Sequence, residues 1–400
     1  MITRPITGTP SEILIEQLVE LGIKHVFYNT GSREALFFDA LNNNPSIHGV
    51  LALHEGTVAS MAGAYTQVHG RPSVMVVHLG AGLAQCMGQL YNIWYGGLPV
   101  VVITFAADTG SFTDRINLDL DASFGPTSIS APMVKASWTV VEPEGLPLAV
   151  DRAFRVATTP PYGPVHIAVY DKMLGNQQVS ADLIQGELKT FGSGEPSDSD
   201  LESIVSALDE ADNPLLYVGD GVWKSDATDL ASDLASYFGV AITCLETDQR
   251  AITLKHPQHL GTLNRSIGYE RSPTEELDPD LIVSIGVRHQ GSGDRRDIEK
   301  LKGVKKIFAI GSDISYLKNY PGLDGGIIAN ERKSLLRMLA MVKSRYKSSR
   351  YDQRRLDTVN VATRRRQNRR SLLMGEPENG KVRPLALVDA VSDSLEELGG

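Results

Sequence analysis

Short apolar runs recur along this chain between segments of helical spacing, and that rhythm is what most narrows its fold. Residues 25–28 (HVFY), 49–53 (GVLAL), 73–77 (SVMVV), 100–105 and 165–170 are continuously apolar or nearly so, without the polar-apolar alternation of a one-sided strand. Strands apolar on both faces must be covered on both faces, and a parallel sheet flanked by helices provides that cover. The expected class is therefore α/β. The start of the chain fits: Thr9, Pro10 and Glu12 form a helix-start signature, with proline where its missing N–H costs nothing. Leu14, Leu18 and Leu21 supply the buried stripe, and Gly22 ends the helix.

At 400 residues the chain is too long for one ordinary core. A first domain is expected over residues 1–175 and a polar, Gly/Ser/Pro-bearing linker over 176–198. A second parallel-sheet domain is expected over 199–345, opening on Pro214-Leu215-Leu216-Tyr217-Val218. Residues 346–400 read as a basic tail, with Arg354-Arg355, Arg364-Arg365-Arg366 and Arg369-Arg370, closing on a short amphipathic segment. The expectation for that tail is a solvated helix or linker, or a contact for an acidic partner. It lacks interleaved aromatics, and the whole chain carries a net charge of −9, so nucleic acid is not an expected partner.

With 42% apolar and 22% charged residues, the composition is that of a globular protein. The two cysteines, Cys86 and Cys244, form no disulfide framework or metal cluster and suit a reducing compartment. The first residues contain no apolar signal region, and no apolar stretch is long enough to span a bilayer. The expected setting is cytoplasmic, with no membrane contact.

Particular residues within this frame carry a resemblance. Leu51-Ala52-Leu53-His54-Glu55, Gly63-Ala64-Tyr65 and Gly70-Arg71-Pro72 resemble the pyrimidine-binding domain of thiamine-diphosphate (ThDP) enzymes, where a strand delivers a glutamate to a small-residue helix. His78, Ala81-Gly82, Asn92, Trp94 and Pro99 are similar to the benzoylformate decarboxylase branch, as is the turn Asn29-x-Gly31-Ser32, with Thr30 where that branch has proline. In the second domain, His256-Pro257-x-x-Leu260-Gly261 resembles the family's central-domain motif. The resemblance covers nearly the whole chain. Two departures, Gly80-Ala81-Gly82 for Gly-Pro-Gly and Gln85 for an asparagine, leave the substrate class open.

The resemblance implies a chemistry. Glu55 would hydrogen-bond the cofactor's aminopyrimidine at N1′ and so promote loss of the thiazolium C2 proton, which calls for partial burial of the carboxyl. His78, at the carboxyl edge of the sheet, would move protons to and from substrate-derived intermediates. Ser32 would meet a substrate carboxylate, and His289 lies near the branch's second active-site histidine. Thr30, Gly31, Gly80, Ala81 and Asn92 would line the cofactor. Blander readings stand beside these: Glu55 as a helix first-turn acid, His78 as a core histidine, Ser32 as an N-cap, and Asn92 and Trp94 as helix packing.

Gly219-Asp220-Gly221 looks like the family's metal and diphosphate motif but lacks the asparagine some thirty residues on; Glu246, Thr247 and Asp248 stand there instead. It reads as the central domain's own first strand-to-helix turn, a place where some relatives bind FAD or ADP. The diphosphate domain itself is not recognised in the 400 residues, so diphosphate and Mg²⁺ are expected on a separate, smaller subunit, in a hetero-oligomer such as α2β2. The implied activity is C–C bond making or breaking on a 2-oxo acid or related acyl donor through a ThDP-bound enamine, as a decarboxylase or carboligase. Two other readings are a non-catalytic relative that keeps the fold, and a nucleotide-binding protein using the 219–221 turn.

Overall fold

The computed structural model describes residues 2–106, 124–170, 175–186, 194–263, 276–288, 303–318, 320, 322–343, 349–374 and 380–398. The chain divides into two compact units, residues 1–192 and 193–400. In the first unit, strands β2 (His25–Tyr28), β3 (His48–Leu51), β4 (Ser73–Val76), β5 (Val100–Ala106), β6 (Ala136–Val140) and β7 (Val165–Tyr170) form one parallel sheet in the order β3-β2-β4-β5-β7-β6. Helices α1 (Pro10–Glu20), α2 (Ala35–Asn43), α3 (Glu55–His69), α4 (Ala81–Tyr95) and α5 (Leu146–Thr158) alternate with the strands. Both faces are covered, as the apolar runs require. Val74, Val76, Val101 and Ile103 lie in one fully buried cluster, while Met75, Val77, Val100 and Val102 lie in another. The predicted helix start is present in full: Thr9 and Glu12 make a reciprocal capping box with Pro10 at the first position.

Three features depart from the sequence reading. Part of the segment read as linker is strand β8 (Val179–Gln185), which pairs antiparallel with β1 (Ile2–Gly8). Its alternating apolar residues, Val179, Ala181 and Leu183, pack over Ile13 and so give one-sided cover to a two-stranded ribbon. The strand leading to Glu55 is an edge strand, with Leu51 and Leu53 exposed in this chain rather than buried. The basic stretch is not a free helix or linker: one face of it, with Tyr351, Arg354, Thr358 and Ala362, is buried.

In the second unit, β9 (Pro214–Val218), β10 (Ala241–Leu245), β11 (His259–Leu263), β12 (Leu281–Ile285), β13 (Lys306–Gly311) and β14 (Gly325–Ile328) make a parallel sheet ordered β11-β10-β9-β12-β13-β14. Helices α6 (Asp198–Glu210), α7 (Asp220–Lys224), α8 (Thr228–Phe238) and α9 (Glu331–Lys343) flank it. The basic stretch forms a single long helix, α10 (Ser349–Leu373), docked on this unit. Its Arg354 is 7% exposed and donates to the carbonyls of Leu208, Ala211 and Phe238, while Arg350 donates to that of Glu210. Those carbonyls are the unpaired C-terminal acceptors of α6 and α8, so the arginines neutralise two negative helix ends. Arg365 pairs with Glu276 and donates to Leu260, which ties α10 to β11. A final helix, α11 (Pro384–Glu397), follows. Among the described residues no helix is long and apolar enough to cross a membrane.

Candidate active site

The first sheet reverses its winding between β2 and β4: the chain runs from β2 out to β3, then returns to place β4 on the other side of β2. A crevice opens at such a switch point beyond the carboxyl ends of the strands. Backbone and side-chain bonds fix the three strand ends there. Asn29 takes its N–H to the carbonyl of Val76 at 3.2 Å and its side-chain amide to that of Ala52 at 2.9 Å. The Ala52 N–H in turn donates to Tyr28. The residues following β2, β3 and β4 are thereby held in one place.

Three side chains and two glycines meet at this edge. Glu55 is the first residue of α3 and half-buried, and His54 caps the helix by accepting from the Gly56 N–H at 3.0 Å. A Cβ built on Gly82 would lie 3.2 Å from Glu55 Oε1 and equally 3.2 Å from His78 Cβ, so the start of α4 is a shallow floor with the glutamate and the histidine on either side. His78 Nδ1 lies 2.8 Å from Oε1 of Glu34, whose side chain is fully buried. A Cβ on Gly31 would come within 2.5 Å of both Glu34 Oε2 and His78 Nδ1, which only a glycine permits. Below Glu55, the Cys86 thiol is buried and bonded to the Leu83 carbonyl; burial, with the Glu55 charge acting in the same sense, pushes its pKa up to about 12, so it is no nucleophile.

The residues singled out from the sequence fall as follows. Gly31, Glu55, His78 and the turn Gly80-Ala81 lie together at the switch point, with Thr30 and Ser32 exposed on either side of Gly31. Ser32 does not cap a helix beginning at Arg33: a single 3-10 turn runs Ser32–Glu34, and α2 starts at Ala35 without a side-chain cap. Asn92 sits apart, ten residues along α4 from Gly82 or about 15 Å of helix, where its exposed amide bonds Gln89. His289 lies outside the described residues. Glu34 went unread because an acid in a helix's first turn is ordinarily a dipole partner, and nothing in the spacing marks it as buried.

An open parallel sheet with titratable side chains and close-packed glycine turns gathered at its switch point defines a ligand-binding α/β enzyme domain. Family models identify the two domains. The model described as "Thiamine pyrophosphate enzyme, N-terminal TPP binding domain" matches residues 9–119, and its "central domain" counterpart matches 201–338. The chain belongs to the thiamine-diphosphate-dependent enzyme family and carries that family's N-terminal and central domains. Curated relatives include an acetolactate synthase large subunit of Corynebacterium glutamicum, 25% identical over 84% of this chain and 53% of its own length. A benzoylformate decarboxylase of Pseudomonas aeruginosa is 29% identical over 54% of this chain and 40% of its own. Among solved structures, the ThDP-dependent 4-hydroxybenzoylformate decarboxylase of Rhodococcus jostii RHA1 superposes with a TM-score of 0.71 at 24% identity, covering 85% of this chain and 63% of that one; it establishes the fold. The chain spans about half the length of the first curated relatives it matches.

Proposed function

We propose that this chain supplies the pyrimidine side of a ThDP site in an enzyme that makes or breaks a C–C bond on a 2-oxo acid. The observation that carries this is the gathering of Glu55, His78 and Glu34 around the Gly31 and Gly82 turns at a sheet switch point. The donor set suits an aminopyrimidine: a half-buried carboxylate at a helix start faces a floor kept free of side chains. Thiamine diphosphate, when bound, supplies a carbon nucleophile that adds to carbonyls. Glu55 would share a proton with pyrimidine N1′, and the Thr30-Gly31 and Gly80-Ala81 turns would line the ring. His78 would exchange protons with the substrate. Ser32, exposed beside Gly31, would donate its hydroxyl to a substrate carboxylate. The relatives named as acetolactate synthases and benzoylformate decarboxylases support both carboligation and simple decarboxylation of 2-oxo acids.

The diphosphate and Mg²⁺ would be held by a separate, smaller subunit. In support, α11 keeps Leu387, Val388, Val391 and Leu395 half or more exposed, and all four fall within about a 100° arc at helical spacing. Its half-buried Leu385 and Asp389 lie on the other side, where Asp389 pairs with Arg370 of α10. A stripe so exposed calls for further polypeptide.

Native mass spectrometry of the protein from its own cells, with assay of thiamine and magnesium, tests the assembly. A complex with a second chain holding ThDP and Mg²⁺ supports it; an oligomer of this chain alone without ThDP overturns it. In the active assembly, Glu55→Gln should lower turnover of benzoylformate or pyruvate by about 10²-fold or more. Unchanged turnover would remove Glu55 from the site.

A further inference from the structure

We propose that Glu34 is a positioning residue that holds His78 in its Nδ1–H form and leaves Nε2 as the ring's proton-accepting atom. This rests on the proton-transfer role given to His78 above. The geometry is specific. The 2.8 Å contact from Glu34 Oε1 to His78 Nδ1, read as an imidazole N–H donating to a carboxylate oxygen, puts the proton on Nδ1. The Glu34 side chain is 0% exposed, and among the described residues its Oε2 has no hydrogen-bond partner. Among the described residues, its one side-chain hydrogen bond is therefore to that imidazole.

Local structure enforces the pairing. The 3-10 turn Ser32–Glu34 carries the carboxylate back under Gly31, where a Cβ would collide with both partners. Asn29 pins the same turn to the ends of β3 and β4. His78 is held in turn by its own carbonyl, which accepts the Leu83 N–H of α4 at 2.8 Å. When the ring takes up a second proton at Nε2, the adjacent carboxylate stabilises the cation, so one group can accept a proton and return it in one cycle.

The purely structural alternative makes Glu34 an anchor for the 29–34 turn, indifferent to the tautomer. Nitrogen-15 NMR of the full chain labelled at histidine, with His78 assigned by loss of its signals in His78→Asn, separates the two. The neutral wild-type ring should show a protonated Nδ1 and a bare Nε2. In Glu34→Gln, whose amide can donate as well as accept, the Nε2–H form should become populated at little cost in melting temperature. A wild-type ring in the Nε2–H form overturns the proposal without any variant, as does an unchanged tautomer in a folded Glu34→Gln. In the ThDP-loaded assembly, Glu34→Gln should lower kcat by about 10²-fold with KM within about threefold. If the tautomer depends on Glu34 but neither Glu34→Gln nor His78→Ala affects turnover, the pairing stands and the role of His78 falls.

Discussion

His166 should make the first unit acid-labile in a calculable way. It lies wholly buried on β7, with Nε2 2.8 Å from the Thr104 hydroxyl of β5 and Nδ1 2.7 Å from that of Ser130. Burial lowers its pKa to about 3, so the folded ring stays neutral. In the unfolded chain an imidazole titrates near about 6.5. The sign follows: the folded-state value is depressed and the group is a base, so below about pH 6.5 the unfolded chain binds the extra proton. The linked stability is present in full above pH 6.5 and is lost at about 1.4 kcal/mol per pH unit as the pH falls toward the folded-state value. Moving from pH 7 to pH 5 should therefore cost about 2 kcal/mol at this residue alone, a sizeable part of a typical domain's stability. Urea unfolding in a Trp223→Phe background leaves Trp94 and Trp138, both in the first unit, as reporters. His166→Gln keeps a donor and an acceptor between the two hydroxyls but cannot titrate. It should be less stable than wild type at pH 7 yet lose about 2 kcal/mol less on going to pH 5. Parallel pH profiles for the two proteins would show that the ring is not held neutral, and the reasoning would fail.

Two further outcomes follow from packing. Gly31→Ala puts a Cβ 2.5 Å from Glu34 Oε2 and His78 Nδ1, so it should cost about 1–3 kcal/mol and break the Glu34–His78 pairing, seen as a lower Tm and the same tautomer change as Glu34→Gln. Arg354→Ala removes the donor shared by the Leu208, Ala211 and Phe238 carbonyls and should destabilise the second unit by about 3 kcal/mol, read from Trp223 fluorescence in urea; an effect below about 0.5 kcal/mol would return α10 to a solvated helix.

The parallel sheets were legible because their evidence is local: a strand buried on both faces has to be written in a nearly unbroken apolar run, as β5 and β9 are. The helix start at Thr9 was legible for the same reason, since capping involves residues three apart. Strand β8 was not, because its partner β1 lies at the far end of the unit and its alternation is visible only once Ile13 is known to cover it. Arginines at 350 and 354 looked solvated because helix C-terminal carbonyls leave no trace in composition; only tertiary structure brings α6 and α8 to them. In the site, Glu55 and His78 were visible through the motifs around them. Glu34 was not, since its role depends on a turn folding back to bury it.

The two units also show why a glycine turn at a switch point is not by itself a ligand site. In the second sheet the winding reverses between β9 and β12, and Gly219-Asp220-Gly221 stands at that crevice as Gly31 and Gly80 do in the first. There, however, the backbone donors are already engaged: Gly219 N–H donates to the Ile285 carbonyl at 3.0 Å and Gly221 N–H to that of Gly286 at 2.9 Å. Glu331 fills the remaining space, with Oε1 2.6 Å from where a Gly221 Cβ would sit and accepting the Ser312 N–H. Burial raises that carboxyl to about 7, so near neutrality it is only partly ionised. The glycines at 219 and 221 thus serve close packing against the Gly286 backbone and Glu331, whereas those at 31 and 82 make room for the side chains of Glu34, His78 and Glu55. The two crevices differ in what their glycines face, and the proton chemistry proposed for this chain is placed at the first, where Gly31 and Gly82 face Glu34, His78 and Glu55.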